Sequence, residues 1–345
     1  MCEVRQIQRQ SCHRARKWID MKTEILTMLR QKDGYLSGQE LCDHFGVSRT
    51  AIWKAINQLK EAGYEIKAVP NKGYHLEAAP DVMSAEELMS RRTTRWVGEK
   101  IVYYDTINST NTRAKQLAEE GYPSGTLVVA DAQTEGRGRR GRSWQSAQAD
   151  TISMTLMIKP EIAPDNASML TLVAALAICK AIIQVAELPA QIKWPNDIVV
   201  NGRKVVGILT EMSAQVDYIN HIVIGVGVNV HNAFFPEELQ EMATSLYRES
   251  GKRYSRAEII EAFLEYFEEY YEQFLLTEDL SAIVNEYNRY SVNREQFVRV
   301  LDPKEPFEGQ AMGINKRGEL IVDTWQSRKL VSSGEVSVRG IYGYV

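Results

Sequence analysis

Cysteine is scarce and scattered. Cys2, Cys12, Cys42 and Cys179 are the four in 345 residues, and no two form a C-x-x-C pair. This spacing argues against a zinc site or a disulfide scaffold and fits reduced thiols in a cytosol. The five histidines, His13, His44, His75, His221 and His231, show no metal-ligand spacing. Long apolar runs are missing as well. The best, Ala167 to Cys179, is too short for a membrane span and runs into Lys180, so it reads as a buried helix. Residues 1–20 are rich in Arg and Gln and lack an apolar signal core, so a cytoplasmic location without membrane is expected. No internal repeat is visible. A basic coat is absent too: the net charge is −4, so any nucleic-acid contact must come from a local patch.

What is present is a globular chain, 44% hydrophobic and 25% charged, long enough for two or three domains. Residues 1–20 have no apolar period and are expected to be a disordered extension, with Met21 as the functional start. From Lys22 a helical stripe begins with Ile25, Leu26 and Leu29. Ser37 and Glu40 form a capping box, and Gly46 suits the end of the helix they open. Ser48 then caps a second helix whose Ile52, Ala55, Ile56 and Leu59 fall on one face. The opposite face carries Arg49, Thr50, Trp53, Lys54, Asn57 and Lys60, groups suited to phosphates and base edges in a major groove. Tyr64–Val69 and Gly73–Glu77 flank a Pro-Asn-Lys turn and predict a two-stranded wing. Residues 21–80 are therefore expected to be a winged helix-turn-helix, with Ser48, Arg49, Thr50, Trp53, Lys54 and Asn57 on DNA.

Ala78-Ala79-Pro80-Asp81 reads as a linker, and Ser84 with Glu87 as a capping box opening a central domain over residues 81–292. There, strand-like runs alternate with helices over Asn111–Glu120, Met169–Glu187 and Arg256–Leu276. Asn201-Gly202 is a strong hairpin dipeptide, so a mixed sheet with many antiparallel pairs is expected rather than a doubly wound one. Residues 293–345 switch to short strands and turns and predict a small β-barrel. The fold class is thus multidomain α+β.

The chemistry concentrates in Gly136-Arg137-Gly138-Arg139-Arg140-Gly141-Arg142. Adjacent cations repel unless an anion lies between them, and glycine lets backbone N–H groups approach that anion. The string also matches G-x-G-x-x-G, but the polar, non-periodic residues after Ser143 cannot open the helix a dinucleotide fingerprint needs. Alone, the loop suits a solvated basic segment equally well. No serine or cysteine stands beside an obvious base, so catalysis here would rest on positioning and electrostatics.

The surrounding blocks decide between these readings. They are Asn108-Ser109-Thr110-Asn111, Gln133-Thr134, Lys193-Trp194-Pro195-Asn196-Asp197, Gly202-Arg203-Lys204 and Gly225-Val226-Gly227-Val228-Asn229. In this order and spacing they resemble biotin–protein ligases. With the N-terminal segment they resemble the bifunctional bacterial form that also represses biotin genes. The likeness covers roughly residues 21–345. It implies a central domain resembling class II aminoacyl-tRNA synthetases and a C-terminal SH3-like β-barrel. It also implies ATP-dependent formation of biotinyl-5′-AMP, transfer of biotin to a lysine of a biotin carboxyl carrier protein, and operator binding as a homodimer.

By this resemblance Ser109, Thr110, Asn111, Gln133, Arg137, Gly138, Arg139 and Lys204 bind biotin, with Lys204 and Arg139 catalytic. Arg137, Arg140, Arg142, Trp144, Asn196, Asp197 and Asn229 belong to ATP, and Asp197 is the carboxylate for Mg²⁺. Local sequence leaves plainer roles open: Ser109 and Thr110 as helix caps, Lys204 as a turn lysine, Asn196 as a turn former, and Trp144 and Trp194 as core. The chain departs from the family where Ser146-Ala147 and Asp150-Thr151 replace Ser-Pro and a glycine, and where Thr155 replaces a serine. A ligase with a non-regulatory winged domain, a metabolite sensor without catalysis and a lipoate ligase are the competing readings. The sensor would be expected to lose Lys204 or the arginines, and both are intact.

Overall fold

A computed structural model describes residues 21–144, 146, 149–302, 305–333, 337–340 and 344–345. The expected disordered extension lies outside the described residues. The chain divides into two compact units, one ending at Arg92 and one beginning at Thr93.

In the first unit, helix α1 (21–31) buries Ile25, Leu26 and Leu29. Helix α2 (Gly38–Phe45) starts where Ser37 Oγ accepts from the backbone N–H of Gln39 and Glu40, and ends at Gly46 with φ 63°. Only half of the capping box forms, because the Glu40 carboxylate pairs with Lys32. Helix α3 (Arg49–Glu61), capped by Ser48, buries Ile52, Ala55, Ile56 and Leu59, the stripe read from the sequence. Strands β1 (Glu65–Val69) and β2 (Gly73–Ala78) pair antiparallel as the wing, with Asn71 at φ 64° in the turn.

The unit then extends past the expected linker to include α4 (Ala85–Arg91). The sequence placed this helix at the start of the central domain. It belongs with the first unit because Glu87, fully buried, accepts two 2.7 Å hydrogen bonds from Arg30, one of 2.6 Å from Arg91 and one of 2.8 Å from Tyr64. Ser84 does cap the helix, but the Glu87 carboxylate is the hub that seals it down.

The second unit is built on a seven-stranded sheet in the order β3-β4-β5-β9-β8-β7-β6. Its strands are β3 (Ile101–Ile107), β4 (Thr126–Gln133), β5 (Thr151–Ile158), β6 (Ala190–Lys193), β7 (Asp197–Val200), β8 (Arg203–Ala214) and β9 (Ile219–Asn229). β3 and β4 are parallel and every other pair is antiparallel, the mixed sheet expected. Asn201 and Gly202 take positive φ in the β7–β8 turn, as a primed hairpin turn requires. β6 was not foreseen; it is four residues long and follows directly from a helix.

Helix α5 (Thr110–Glu119) packs on β4, β5 and β9. Helix α6 (Leu170–Ala186) is apolar almost all round. With the turn before it, it is long and apolar enough to cross a membrane, but it lies against α8 (Arg256–Thr277) and the sheet as the core of the unit. Two short helices escaped the sequence reading, α7 (Leu246–Ser250) and α9 (Val284–Tyr290). β10 (Phe297–Leu301), β11 (Phe307–Ile314), β12 (Leu320–Asp323), β13 (Arg328–Val331) and β14 (Ser337–Gly340) form an antiparallel sheet ordered β13-β12-β11-β10-β14. Trp194, fully buried, bonds through Nε1 to the Gly318 carbonyl, so it is core and not a ligand surface.

Candidate active site

Two cavities meet beside β8 and β9. The smaller, about 50 Å³, is lined by every residue assigned to biotin: Ser109, Thr110, Asn111, Gln133, Arg137, Gly138, Arg139 and Lys204. The larger, about 540 Å³, is lined by Arg140, Arg142, Trp144, Asn196, Asp197 and Asn229 of the ATP set, together with Phe234, Phe235, Leu239 and Met242. Arg137 faces only the smaller. Gly138, Arg139, Trp144, Asn196 and Lys204 border both, so the junction falls at the two residues expected to be catalytic.

The floor of the smaller cavity is set by backbone. A Cβ on Gly227 would stand 2.4 Å from the Trp144 indole, and one on Gly225 would stand 2.2 Å from Asn111 Oδ1. Only glycine leaves room there. Trp144 lies over this floor with its Nε1 buried and without a partner among the described residues.

The polar wall is interlocked. Gln133 Oε1 accepts from the Thr110 N–H at 2.8 Å and from its hydroxyl at 3.1 Å. Thr155, buried, donates to Thr110 Oγ1 at 2.8 Å or Asn111 Oδ1 at 2.6 Å. Asn111 Nδ2 donates to Glu211 at 2.8 Å, and Glu211 pairs with Lys115 at 2.6 Å. Burial pushes the Glu211 carboxyl up, but its bonds to Lys115 and Asn111 outweigh that and hold it below the usual carboxylate range. Ser109 stands at the N-cap of α5 yet makes no side-chain cap hydrogen bond, so helix capping does not account for its hydroxyl. Thr155 and Glu211 were missed. Thr155 had a signal, the substitution of a usual serine; Glu211 had none, since its partners are distant in sequence.

The Arg/Gly loop is a tight reversal. Arg137 bridges Ser143, and Gly138 donates to the Arg142 carbonyl at 2.7 Å. Arg140 sits at φ 58°. Arg137, Arg140 and Arg142 are exposed, whereas Arg139 is partly buried. Its guanidinium donates to Asn196 Oδ1 at 2.8 Å and to the Ser333 carbonyl at 2.7 Å. Burial lowers its pKa, with Asp197 opposing and Arg140 reinforcing. Asn196 is fully engaged, since its Nδ2 also donates to the Ile208 carbonyl at 3.1 Å. It acts as a brace for Arg139 more than as a free ligand group.

Lys204 is pinned at both ends. Its N–H donates to the Met242 carbonyl at 2.7 Å, its carbonyl accepts from Thr244 at 2.8 Å, and its Nζ lies 2.5 Å from Asp197 Oδ1. Asp197 Oδ2 accepts from the Tyr344 hydroxyl. Burial raises the Asp197 carboxyl, but Lys204 and Lys193 overcome it and the net shift is downward. For a divalent cation the fit is poor: both Asp197 oxygens are taken, and among the described residues no three His, Cys, Asp or Glu cluster to hold a metal. Asn229 lines the larger cavity, with its Nδ2 on the Thr244 carbonyl at 3.1 Å.

In the first unit, Arg49, Thr50, Trp53, Lys54 and Lys60 are exposed and Asn57 is half-buried, all away from the buried stripe of α3. Ser48 is also exposed, but its hydroxyl accepts from Ala51 N–H as the cap of α3.

Three family models match in chain order: an HTH domain over 22–75, the biotin/lipoate A/B protein ligase family over 103–229, and the biotin protein ligase C-terminal domain over 295–339. The bifunctional ligase/repressor BirA of Bacillus spizizenii is 39% identical over 92% of this chain and 98% of its own length. The chain belongs to the biotin protein ligase family. A more distant member, the BirA of Escherichia coli, is 28% identical over 88% of this chain and 92% of its own length. Among solved biotin protein ligases, that of Aquifex aeolicus in complex with biotin and ATP superposes with a TM-score of 0.64. It is 29% identical and covers 70% of this chain and 99% of its own. In this biotin protein ligase Arg139 thus links the pocket to the family's C-terminal domain, through its bond to the Ser333 carbonyl.

Proposed function

We propose that this chain is a bifunctional biotin–protein ligase and repressor: it forms biotinyl-5′-AMP from biotin and ATP, transfers biotin to a lysine of a carrier protein, and represses biotin genes through its winged domain. The observation that carries the reading is the pair of joined cavities with Lys204 and Arg139 at the junction. The smaller cavity takes biotin, its ureido ring toward Ser109, Thr110 and Gln133. The larger takes ATP, the adenine against the apolar side of Phe234, Leu239 and Met242 and the phosphates toward Arg140 and Arg142. Lys204 and Arg139 then stand where charge gathers as the carboxylate attacks the α-phosphate, and fixed cations there stabilise the transition state. Because both Asp197 oxygens are already bonded, Mg²⁺ enters with the ATP phosphates on this reading.

Within the same reading the five C-terminal strands are an SH3-like barrel, and the central sheet is of the class II aminoacyl-tRNA synthetase kind. The active form on DNA is a homodimer. One small winged domain offers few phosphate contacts, with affinity near the non-specific range of roughly 10⁻⁴–10⁻⁶ M, and two copies on a palindrome make recognition specific. Exposed Met212, Val216 and Tyr218 at the β8–β9 end supply an apolar face for such pairing. Intact Lys204 and the arginines disfavour a sensor without catalysis. One experiment tests the whole: incubation with biotin, ATP and a carrier domain, then operator titration with and without both ligands. Biotinylated carrier and ligand-tightened DNA binding are expected. Biotinylation with unchanged DNA affinity would leave a ligase whose winged domain is not regulatory.

A further inference from the structure

The two cations at the junction are held differently. Arg139 is a rigid planar fork braced on two elements. Lys204 ends in a flexible four-carbon stem, and holding such a side chain in one place needs an anchor. That anchor is Asp197, whose Oδ1 takes the ammonium at 2.5 Å. A carboxylate gripped at one oxygen can still pivot about its own bond. Here the second oxygen is gripped as well, by the hydroxyl of Tyr344.

Tyr344 is itself set firmly. The Lys193 ammonium stands 4.2 Å from its ring centroid and donates to the Val338 carbonyl at 3.0 Å. The next residue, Val345, lies against Gly202 in the β7–β8 turn, and its carbonyl fills the place where Gly340 would carry a Cβ. Tyr344 also lines the larger cavity, on the side of Arg142 and Asp197. The series therefore runs from Tyr344 and Val345, through a hydroxyl and a carboxylate, to the ammonium that borders both cavities.

We propose that Tyr344 is a positioning residue for adenylate formation, acting through Asp197 to hold Lys204 Nζ at the junction of the two cavities. The proposal rests on the ligase reading and adds to it a residue from outside the matched ligase segment. It also gives Asp197 a defined task, orienting Lys204, in place of binding a cation.

The test is a double-mutant cycle on the full chain. Biotin-dependent pyrophosphate release is followed in a single turnover with saturating biotin and magnesium ATP. The proteins compared are the wild type, Tyr344→Phe, Asp197→Asn and the double variant. Tyr344→Phe keeps the ring over Lys193 and removes only the donor. It should slow release about tenfold, the scale of one hydrogen bond to a charged group, with the KM for biotin within about twofold. In the Asp197→Asn background the same change should matter by less than about twofold, because the intermediary is already altered. Any loss of folded protein is common to both backgrounds and divides out. A wild-type rate for Tyr344→Phe, an equal factor in both backgrounds, or a loss confined to the KM for ATP would overturn the proposal. Biotin-dependent release by the wild type upholds the ligase reading whatever the variants do; its absence would remove both.

Discussion

Helix α3 and the Arg/Gly site use the same residue types in opposite ways. On α3 the cations and hydroxyls lie along one exposed face, within thirteen consecutive residues. At the ligase site, Arg139, Lys204, Asn196 and Thr155 come from four separate segments. They are half-buried or buried and bonded to one another or to their neighbours. On the helix the side chains lie in water, where charge is screened, and Arg49 donates to Gln39 Oε1 at 2.9 Å. In the site each is preorganised by others, where charge is strong and misplacement is costly. Substitutions should therefore act locally and mildly in the first region, severely in the second.

The sharpest contrast is Lys204→Ala. It removes one fixed charge at the junction and should slow adenylate formation by about 10²–10³, or about 2.7–4 kcal/mol of barrier. Single-turnover pyrophosphate release measures it, and a wild-type rate would reduce Lys204 to a turn lysine.

The comparison can be broken from the other side at Glu87, where, among the described residues, the first unit buries a charge fully. Glu87→Ala removes the carboxylate that Arg30 and Arg91 share, and loss of one partner of a buried pair costs about 3–5 kcal/mol. The first unit's melting midpoint should fall by more than about 12 °C. Operator binding should fall with it, while pyrophosphate release at 25 °C stays unchanged. Calorimetry on the full chain with both assays would reveal any spread of the effect.

A third test uses pH. Burial pushes the Lys193 ammonium down to about 8 from 10.5, against the attraction of Asp197. Between those values the unfolded chain binds the proton and the folded chain has lost it, so this residue makes stability rise with pH across that window. Below about 8 both states are protonated and the cost of the buried charge is constant. Lys193→Met should flatten the rise: the difference in melting midpoint between variant and wild type should favour the variant most near neutral pH and shrink toward pH 10. A constant difference would place the proton elsewhere.

The smallest effect is expected at Lys54. Lys54→Ala should weaken DNA binding almost equally on operator and random sequence and reduce the salt slope by about one. A loss specific to the operator would mean that Lys54 reads bases.

Legibility followed the same division. The winged unit could be read almost residue by residue, because caps, stripe and turn are local signals: Ser37, Gly46, Ser48 and the Ile52–Leu59 face all do in the structure what their spacing implied. Its surprises were two glutamates at capping-box spacing, Glu40, which pairs with Lys32, and Glu87, the hub of a buried ion cluster. In the ligase unit the Arg/Gly loop stood out by its crowded charge, but its role and that of Lys204 came from the resemblance of the surrounding blocks, since local sequence left a solvated loop and a turn lysine open. The supports around them were not. Thr155 stood only as a departure from a usual strand serine, and neither Glu211 nor Tyr344 gave a signal of its own.

The sequence by itself determined the longer helices and strands, the hairpin turn at Asn201-Gly202, and where cations crowd into a glycine-rich loop, since each depends on backbone preference and charge within a few residues. Only the tertiary structure decided that Ser109 caps nothing, that Trp194 is core while Trp144 lies over the Gly227 floor, and that Asp197 is shared between Lys204 and Tyr344. Those outcomes depend on which oxygen, ring or glycine from a distant segment arrives at a given point. No local pattern encodes that, because it is fixed by the register of β8 on β9 and by the packing of the last strands against the sheet.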